Sequence, residues 1–395
     1  MDDERMVDIK NLVVVGAGQM GGGIAQMALL AGYNATLVDI KDEFVDAGWK
    51  KIDEGMIKLE GKGSLPEGTT AAGLMAKCKK TTDLASAVKD ADIVIEAVVE
   101  RMDIKKQVFT TCGENAPAHC ILASNTSTMS ITEMASDSGR PDKCIGMHFF
   151  NPVPLMRLIE VIYSEHSSDE SINIGIKFAE SIPCLRGDRF IAKVLRDRPG
   201  FICNRVTAPV QIYSNYVYDR CAEEGKSWQQ LDNDSRGGPM SMTVLADYVG
   251  IDTMYHGQNY YSKTLSPDFT PGKVITKMFN DGTLGAKTGQ GFNDWSKGRP
   301  QGDKSVGKAR IYKLKYPIAI MVNEACRVLE EKITDSWEVI DKTMMAGMNM
   351  PGPMAPNVNT YEKQVEVLNE LVELTGKEYF KPCELLKSGK WVDMK

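Results

Sequence analysis

Two side chains stand where an acid–base pair would be needed. His148 closes the apolar run Gly146-Met147-His148-Phe149, and Glu160 sits inside Leu158-Ile159-Glu160-Val161-Ile162. A carboxylate flanked by four aliphatic residues is expensive to bury unless it is paired. Between the two runs lies Asn151-Pro152-Val153-Pro154, a turn signal that would fold the second run back beside the first. A histidine next to a carboxylate suits the removal of a hydroxyl proton, because its charge changes near neutrality and the carboxylate fixes its tautomer and stabilises the imidazolium. Spacing alone leaves open a structural core histidine with a glutamate turned to solvent. The chain has four histidines, and the other three, His119, His166 and His256, read as structural or surface positions.

Oxidising an alcohol also requires a hydride acceptor, and the N-terminal segment is built to hold one. The apolar run Leu12-Val13-Val14-Val15 leads into Gly16-Ala17-Gly18-Gln19-Met20-Gly21, a helix follows from Ile24, and Asp39 ends the next apolar run, 18 residues after Gly21. Gly16 makes the tight turn, Gly18 lets the backbone approach a pyrophosphate, and Gly21 lets helix and strand pack closely. Free N–H groups at the helix start and the positive end of its dipole favour phosphate. Gln19 and Met20 lie within the same turn and count among the cofactor-binding residues. Asp39 would accept hydrogen bonds from the adenosine ribose, which favours NAD, whereas Lys41 just behind it leaves some room for NADP.

The elements that must position these residues alternate in type. The pattern predicts strands at 12–15, 35–39, 93–95, 121–123, 144–149, 158–162 and 190–194, with helices between them and a helical hairpin over about 42–80 broken at Gly61–Pro66. Ser130-Ile131-Thr132-Glu133 has capping-box spacing and should open a helix. This is a Rossmann-type, doubly wound α/β domain over 1–197. From Pro199-Gly200 onward strand signals vanish and helical periodicity takes over. The helical part repeats itself. Pro209, Glu223-Glu224, Trp228, Asp232, Gly238-Pro239-Met240 and Phe269 recur in the same order as Pro317, Glu330-Glu331, Trp337, Asp341, Gly352-Pro353-Met354 and Phe380. A first all-α copy is expected over 198–300 and a second, degenerate copy over 301–395.

The formal charge of −6 provides no broad basic field for nucleic acid or an acidic membrane, and no apolar run approaches the length of a membrane span. The acidic start Met1–Arg5 lacks the apolar stretch of a signal peptide. Nine scattered cysteines without a CxxC pair fit free thiols in a reducing cytoplasm better than disulfides or a zinc site, so no metal is expected.

The stretch His148-Phe-Phe-Asn-Pro-Val-Pro-Leu-Met-Arg-Leu-Ile-Glu160-Val resembles the signature of the short-chain L-3-hydroxyacyl-CoA dehydrogenases, which include the 3-hydroxybutyryl-CoA dehydrogenases. Glu96–Glu100, Ala123–Ser127, Arg198–Arg205 and Lys287–Phe292 resemble the same family in the same order, from about residue 11 to 293. The resemblance implies NAD-linked interconversion of a (3S)-3-hydroxyacyl-CoA and its 3-oxoacyl-CoA. It implies His148 as general base, Glu160 as its orienting partner, Ser127 on the substrate 3-oxygen and Asn204 holding the substrate. Glu100 and Lys105 would contact NAD near the nicotinamide ribose, with Asn125 in the same cofactor set. Lys62, with Lys58 nearby in the hairpin, would meet the CoA phosphates. Asn233–Thr243 is compressed relative to the family pattern, which leaves acyl-chain preference open. The alternatives are a sugar-acid dehydrogenase of the same superfamily and a non-catalytic NAD-binding protein. Relatives with one helical copy dimerise through it, so the chain is expected to be a homodimer, or a monomer whose second copy mimics a partner subunit.

Overall fold

The short β-branched and aliphatic runs pair as an eight-stranded sheet. The computed structural model describes residues 9–235 and 240–395, so Gly238 and Pro239 of the repeat and the acidic Met1–Arg5 lie outside the described residues. Strands β1 (Asn11–Val15), β2 (Asn34–Val38), β3 (Cys78–Thr81), β4 (Ile93–Glu96), β5 (Ile121–Ser124), β6 (Cys144–Phe149), β7 (Leu158–Tyr163) and β8 (Phe190–Val194) lie in the order β3-β2-β1-β4-β5-β6-β7-β8. Every neighbouring pair is parallel except β6 with β7, which is antiparallel. Side chains alternate between two apolar layers. Leu12, Val14, Met147, Phe149, Ile159 and Val161 face one layer, and Val13, Val15, Val94 and Leu122 face the other. Both faces are covered, which is why the central strands read as continuous apolar runs rather than as alternating ones.

On the first face lie α1 (Gln19–Leu30), α2 (Asp42–Gly61), α3 (Ala71–Met75) and α7 (Asp169–Ser181). On the second lie α4 (Leu84–Ala87), α5 (Met102–Asn115) and α6 (Ile131–Ser136), the last opened by Ser130 accepting the Glu133 N–H. The expected hairpin over 42–80 needs correction. Its first arm is the long helix α2, but its second arm is the single turn α3, and Cys78–Thr81 pairs with β2 as the edge strand β3. Lys79 and Lys80 obscured it, since an edge strand tolerates charge and loses the apolar signal.

The chain divides into two compact units, one of residues 1–203 with 332–352 and one of 204–331 with 353–395. The first contains the sheet, its helices and α15 (Trp337–Met348), which packs against β7 and β8. Helix α8 (Cys203–Thr207) begins where the units divide. The second contains α9 (Val210–Glu223), α10 (Trp228–Asp234), α11 (Met242–Val249), α12 (Ile251–Thr264), α13 (Lys273–Asn280), α14 (Lys315–Glu330), α16 (Tyr361–Thr375) and α17 (Glu384–Ser388).

The repeated landmarks fall on matching features. Trp228 opens α10 after the N-cap Ser227, and Trp337 opens α15 after the N-cap Ser336. Phe269 and Phe380 each close a 3-10 turn and are buried. Inside the second unit, Tyr213 of α9 packs edge-on against Tyr316 of α14, 5.3 Å between ring centres. The Lys287–Phe292 motif is gathered on Asp247, whose carboxylate accepts the N–H groups of Phe292 at 2.7 Å and Asn293 at 2.8 Å and the Trp295 indole N–H at 3.0 Å.

Candidate active site

The glycine turn follows β1 and meets the end of β4, the place where the strand order reverses and ligands of open α/β sheets bind. Gly16 has φ +109°, and a β-carbon there would lie 2.4 Å from the Ala97 carbonyl oxygen. A β-carbon on Gly21 would lie 1.8 Å from the Gly16 oxygen. These two positions admit only glycine, because the turn, helix α1 and the β4 end approach each other through bare backbone. Gly18 has open space where its β-carbon would be, and no side chain caps α1 there. The cradle therefore fits a pyrophosphate on the helix N-terminus. Asp39, just past β2, turns its carboxylate into the same turn, with Oδ2 accepting the Ala17 N–H at 2.7 Å and Oδ1 accepting the Ile40 N–H. Gln19 is exposed and donates to the Asn151 side-chain oxygen at 2.9 Å, while Met20 is half-buried against the sheet's core.

The acid–base pair assembles as the turn predicts. In the antiparallel register His148 of β6 faces Glu160 of β7. The His148 Nδ1 lies 2.7 Å from Glu160 Oε2, and the pair is 3% and 0% exposed. The other carboxylate oxygen of Glu160 accepts two backbone N–H groups, from Ile202 at 3.0 Å and Cys203 at 2.9 Å. Both carboxylate oxygens are thus engaged, one by the two amides and the other by the imidazole. With Glu160 as a pure acceptor, Nδ1 carries the ring proton and Nε2 is left as the acceptor. Ser127 Oγ lies 3.1 Å from that Nε2. The rings of Phe150 and Phe201 flank the imidazole at 4.3 and 5.7 Å between centres. Phe201 holds φ +53°, a rare conformation for a bulky residue, in the turn that aims both amides at Glu160. Burial pushes the Cys203 thiol well up, and Glu160 beside it adds to the effect, so the sulfur stays protonated and is no nucleophile.

Between the cofactor turn and Ser127 runs an ionic chain, buried at Glu96 and Lys105 and exposed at Glu100. Lys105 of α5 is 1% exposed, and its ammonium sits 2.8 Å from Glu96 and 3.0 Å from Glu100. Glu96 also accepts the Ser124 hydroxyl at 2.6 Å and the Val98 N–H at 2.7 Å. Glu100 accepts the Thr126 hydroxyl and, at 3.2 Å, the Ser127 N–H. Asn125 accepts the Phe149 N–H at 2.8 Å, pinning the end of β5 to the strand that carries His148. Sequence reasoning missed Glu96, although an acid closing the buried run Ile93-Val94-Ile95 is the same signal that marked Glu160. It also missed the Ile202 and Cys203 amides, because backbone donors leave no residue-type signature. Asn204 is half-buried and follows directly on Cys203, in the second unit. Lys62 caps the exposed end of α2, and Lys58 is exposed one turn earlier. Among the described residues no three His, Cys, Asp or Glu side chains gather as a metal site would require.

A dinucleotide cradle beside a buried histidine–carboxylate pair defines a nicotinamide-dependent alcohol dehydrogenase of the Rossmann class. The family model for the 3-hydroxyacyl-CoA dehydrogenase NAD binding domain matches residues 11–184, and that for the 3-hydroxyacyl-CoA dehydrogenase C-terminal domain matches 200–295. The chain belongs to the 3-hydroxyacyl-CoA dehydrogenase family, and its cofactor is NAD. It is 39% identical over 284 residues to a probable 3-hydroxybutyryl-CoA dehydrogenase of Deinococcus radiodurans, a match covering 71% of this chain and 98% of the relative. A crystal structure of (S)-3-hydroxybutyryl-CoA dehydrogenase from Ralstonia eutropha superposes with TM-score 0.66 at 33% identity, covering 73% of this chain and all of that one. The 3-hydroxybutyryl-CoA dehydrogenase of Escherichia coli shares the fold over 98% of this chain and 99% of its own, with TM-score 0.83 at 23% identity.

Proposed function

We propose that the chain interconverts a short-chain (3S)-3-hydroxyacyl-CoA, such as 3-hydroxybutyryl-CoA, and its 3-oxoacyl-CoA, with His148 as the general base. The observation that carries this is the His148–Glu160 pair, with Nδ1 tied to the carboxylate at 2.7 Å and Nε2 turned to Ser127. NAD, when bound, accepts the hydride from the substrate's C3. Gly16, Gly18, Gln19, Met20 and Gly21 with Asp39 would hold the dinucleotide, with Glu100 and Asn125 toward the nicotinamide ribose. Lys105 supports this set by fixing Glu100 rather than by an exposed ammonium. In the oxidation direction the 3-hydroxyl donates its hydrogen bond to His148 Nε2, displacing Ser127 Oγ, which then donates to the 3-oxygen. The proton moves to Nε2 as the C3–H bond breaks, and Glu160 stabilises the imidazolium. In reduction the same imidazolium returns the proton to the 3-oxygen. Phe150 and Phe201 keep water from the ring. Asn204 would hold the thioester end, and Lys62 the CoA phosphates.

A cytoplasmic location is part of this reading, supported by nine cysteines of which none is in a disulfide. No described helix is long and apolar enough to cross a membrane.

The test is NADH oxidation with acetoacetyl-CoA. His148→Gln should lower kcat by about 10²–10⁴-fold with little change in the KM for NADH, the range for loss of a positioned acid–base group. No turnover by the wild type would reject the substrate class. Unchanged turnover in the variant would reject His148 as the base.

A further inference from the structure

The helix α15 comes from the second helical stretch, yet it belongs to the compact unit that contains the sheet. Its lead-in is tied to the sheet's edge, where the Leu195 N–H, just past β8, donates to the Ile333 carbonyl at 2.8 Å. Alternation along β7 places Leu158 and Glu160 on one face, opposite Ile159 and Val161. Helix α15 packs against β7 and β8 there. Gly347 comes close to the sheet. A β-carbon on Gly347 would lie 2.5 Å from Leu158 Cδ2 and 2.9 Å from Cys203 Sγ. Glycine inside a helix is unfavourable relative to alanine, so its presence in the last turn of α15 fits a need for close approach.

Both neighbours of Gly347 lead to the carboxylate. Leu158 stands two residues before Glu160 on the same strand face, and the Cys203 N–H is one of the two amides that Glu160 Oε1 accepts. Leu158, Cys203 and Glu160 are all 0% exposed, so a displaced side chain has no solvent to move into. We infer that Gly347 is a positioning residue for the dehydrogenase site: the second helical stretch, through α15, sets the seat of Glu160 and thereby the orientation of His148. This rests on the His148–Glu160 reading above and extends it, assigning to the second stretch a part in catalysis. The ionisable groups tied to the imidazole are Glu160 of β7 on Nδ1, the Cys203 thiol beside that carboxylate, and Glu100, which accepts the N–H of the Ser127 that meets Nε2.

The experiment uses the full chain and acetoacetyl-CoA reduction by NADH across about pH 5.5–9, the range in which a histidine titrates. Gly347→Val should lower kcat tenfold or more, leave the KM for NADH within twofold, and move the alkaline limb of the kcat profile to lower pH, because a displaced carboxylate stabilises the imidazolium less. Adding Leu158→Ala, which removes as many carbons as the valine brings, should restore kcat to within about threefold of wild type. If Gly347→Val does not fold, Gly347→Ala should show the same three effects at smaller size. A folded Gly347 variant with wild-type kcat and an unmoved alkaline limb overturns the inference. So does a loss of kcat with no movement of the limb and no rescue by Leu158→Ala, which describes a merely structural role. Glu160→Gln is measured alongside. If that variant turns over normally, the catalytic reading itself fails, whereas its loss of turnover beside unaffected Gly347 variants rejects the positioning role alone.

Discussion

Glu160 is held more firmly than the orientation of one ring requires. Two backbone amides take one of its oxygens and His148 takes the other, so the carboxylate neither rotates nor needs water. Such charge-assisted bonds in a water-excluded site are stronger than neutral ones and need no rearrangement as the imidazolium forms. For Asp39 we propose a different residue-scale role, discrimination between cofactors. Its carboxylate already accepts the Ala17 and Ile40 N–H groups, which fixes a negative charge at the end of β2. A 2′-phosphate placed against it meets like charge. Asp39→Ala should raise the KM for NADH about 10- to 150-fold, the worth of a hydrogen bond to a charged group being roughly 1.5–3 kcal/mol. The same change should narrow the preference for NADH over NADPH. Steady-state kinetics with both cofactors check this, and an unaltered preference would remove Asp39 from the selection of NAD.

At the scale of elements, α8 and α14 are joined by charge rather than by apolar packing alone. Arg205 of α8 is 2% exposed and bonds to Glu324 within α14 and to Glu331 just beyond it. Arg327 donates to Glu324 at 3.0 Å, and the Tyr379 hydroxyl donates to the same carboxylate at 2.8 Å. Burial by itself pushes the Glu324 carboxyl up, but the guanidinium groups of Arg205 and Arg327 and the hydrogen bonds to it outweigh that and hold it below its ordinary value. A carboxyl depressed in the folded state contributes stability that is fully present above its unfolded value, about 4.3, and is lost as pH falls through the lower folded value. Glu324→Gln should therefore destabilise the protein by about 3 kcal/mol near pH 7, since it leaves the buried guanidinium of Arg205 and the half-buried one of Arg327 short of an anion. The gap between wild type and variant should shrink as pH falls below about 4. Thermal melts at about pH 7, 5 and 3.5, which bracket the carboxyl titration, measure it. A gap that stays constant with pH would mean that the charge of Glu324 is not what matters.

At the scale of the molecule, the two helical stretches share a succession of features: a long helix, a helix led by tryptophan after a serine cap, then two α-helices in the first stretch and one in the second, and a 3-10 turn ending in a buried phenylalanine. We propose that the second stretch occupies the place a partner subunit takes in relatives with one helical copy. The packing of Tyr213 on Tyr316, across α9 and α14, supports this. The chain should then behave in solution as a single copy, with the mass of one chain by light scattering at micromolar concentration. An obligate dimer joined through the first stretch would sink the proposal.

What was legible and what was not divides along physical lines. Local chemistry wrote itself into residue types: the glycines that only a bare backbone tolerates, the apolar runs of doubly covered strands, the serine caps, and an acid inside an aliphatic strand. From these the Rossmann class and the cofactor turn followed, whereas spacing left the pairing of His148 with Glu160 open until the antiparallel register of β7 on β6 set them face to face. Edge strand β3 stayed hidden, since its charges are tolerated only where one side has no neighbour. Three further features depend on long-range approach, which no local pattern encodes. They are the amides of Ile202 and Cys203 on Glu160, the Glu96–Lys105–Glu100 chain, and the docking of α15 on β7 through Gly347. Each depends on groups whose type is common everywhere, so only the folded backbone decides that they meet.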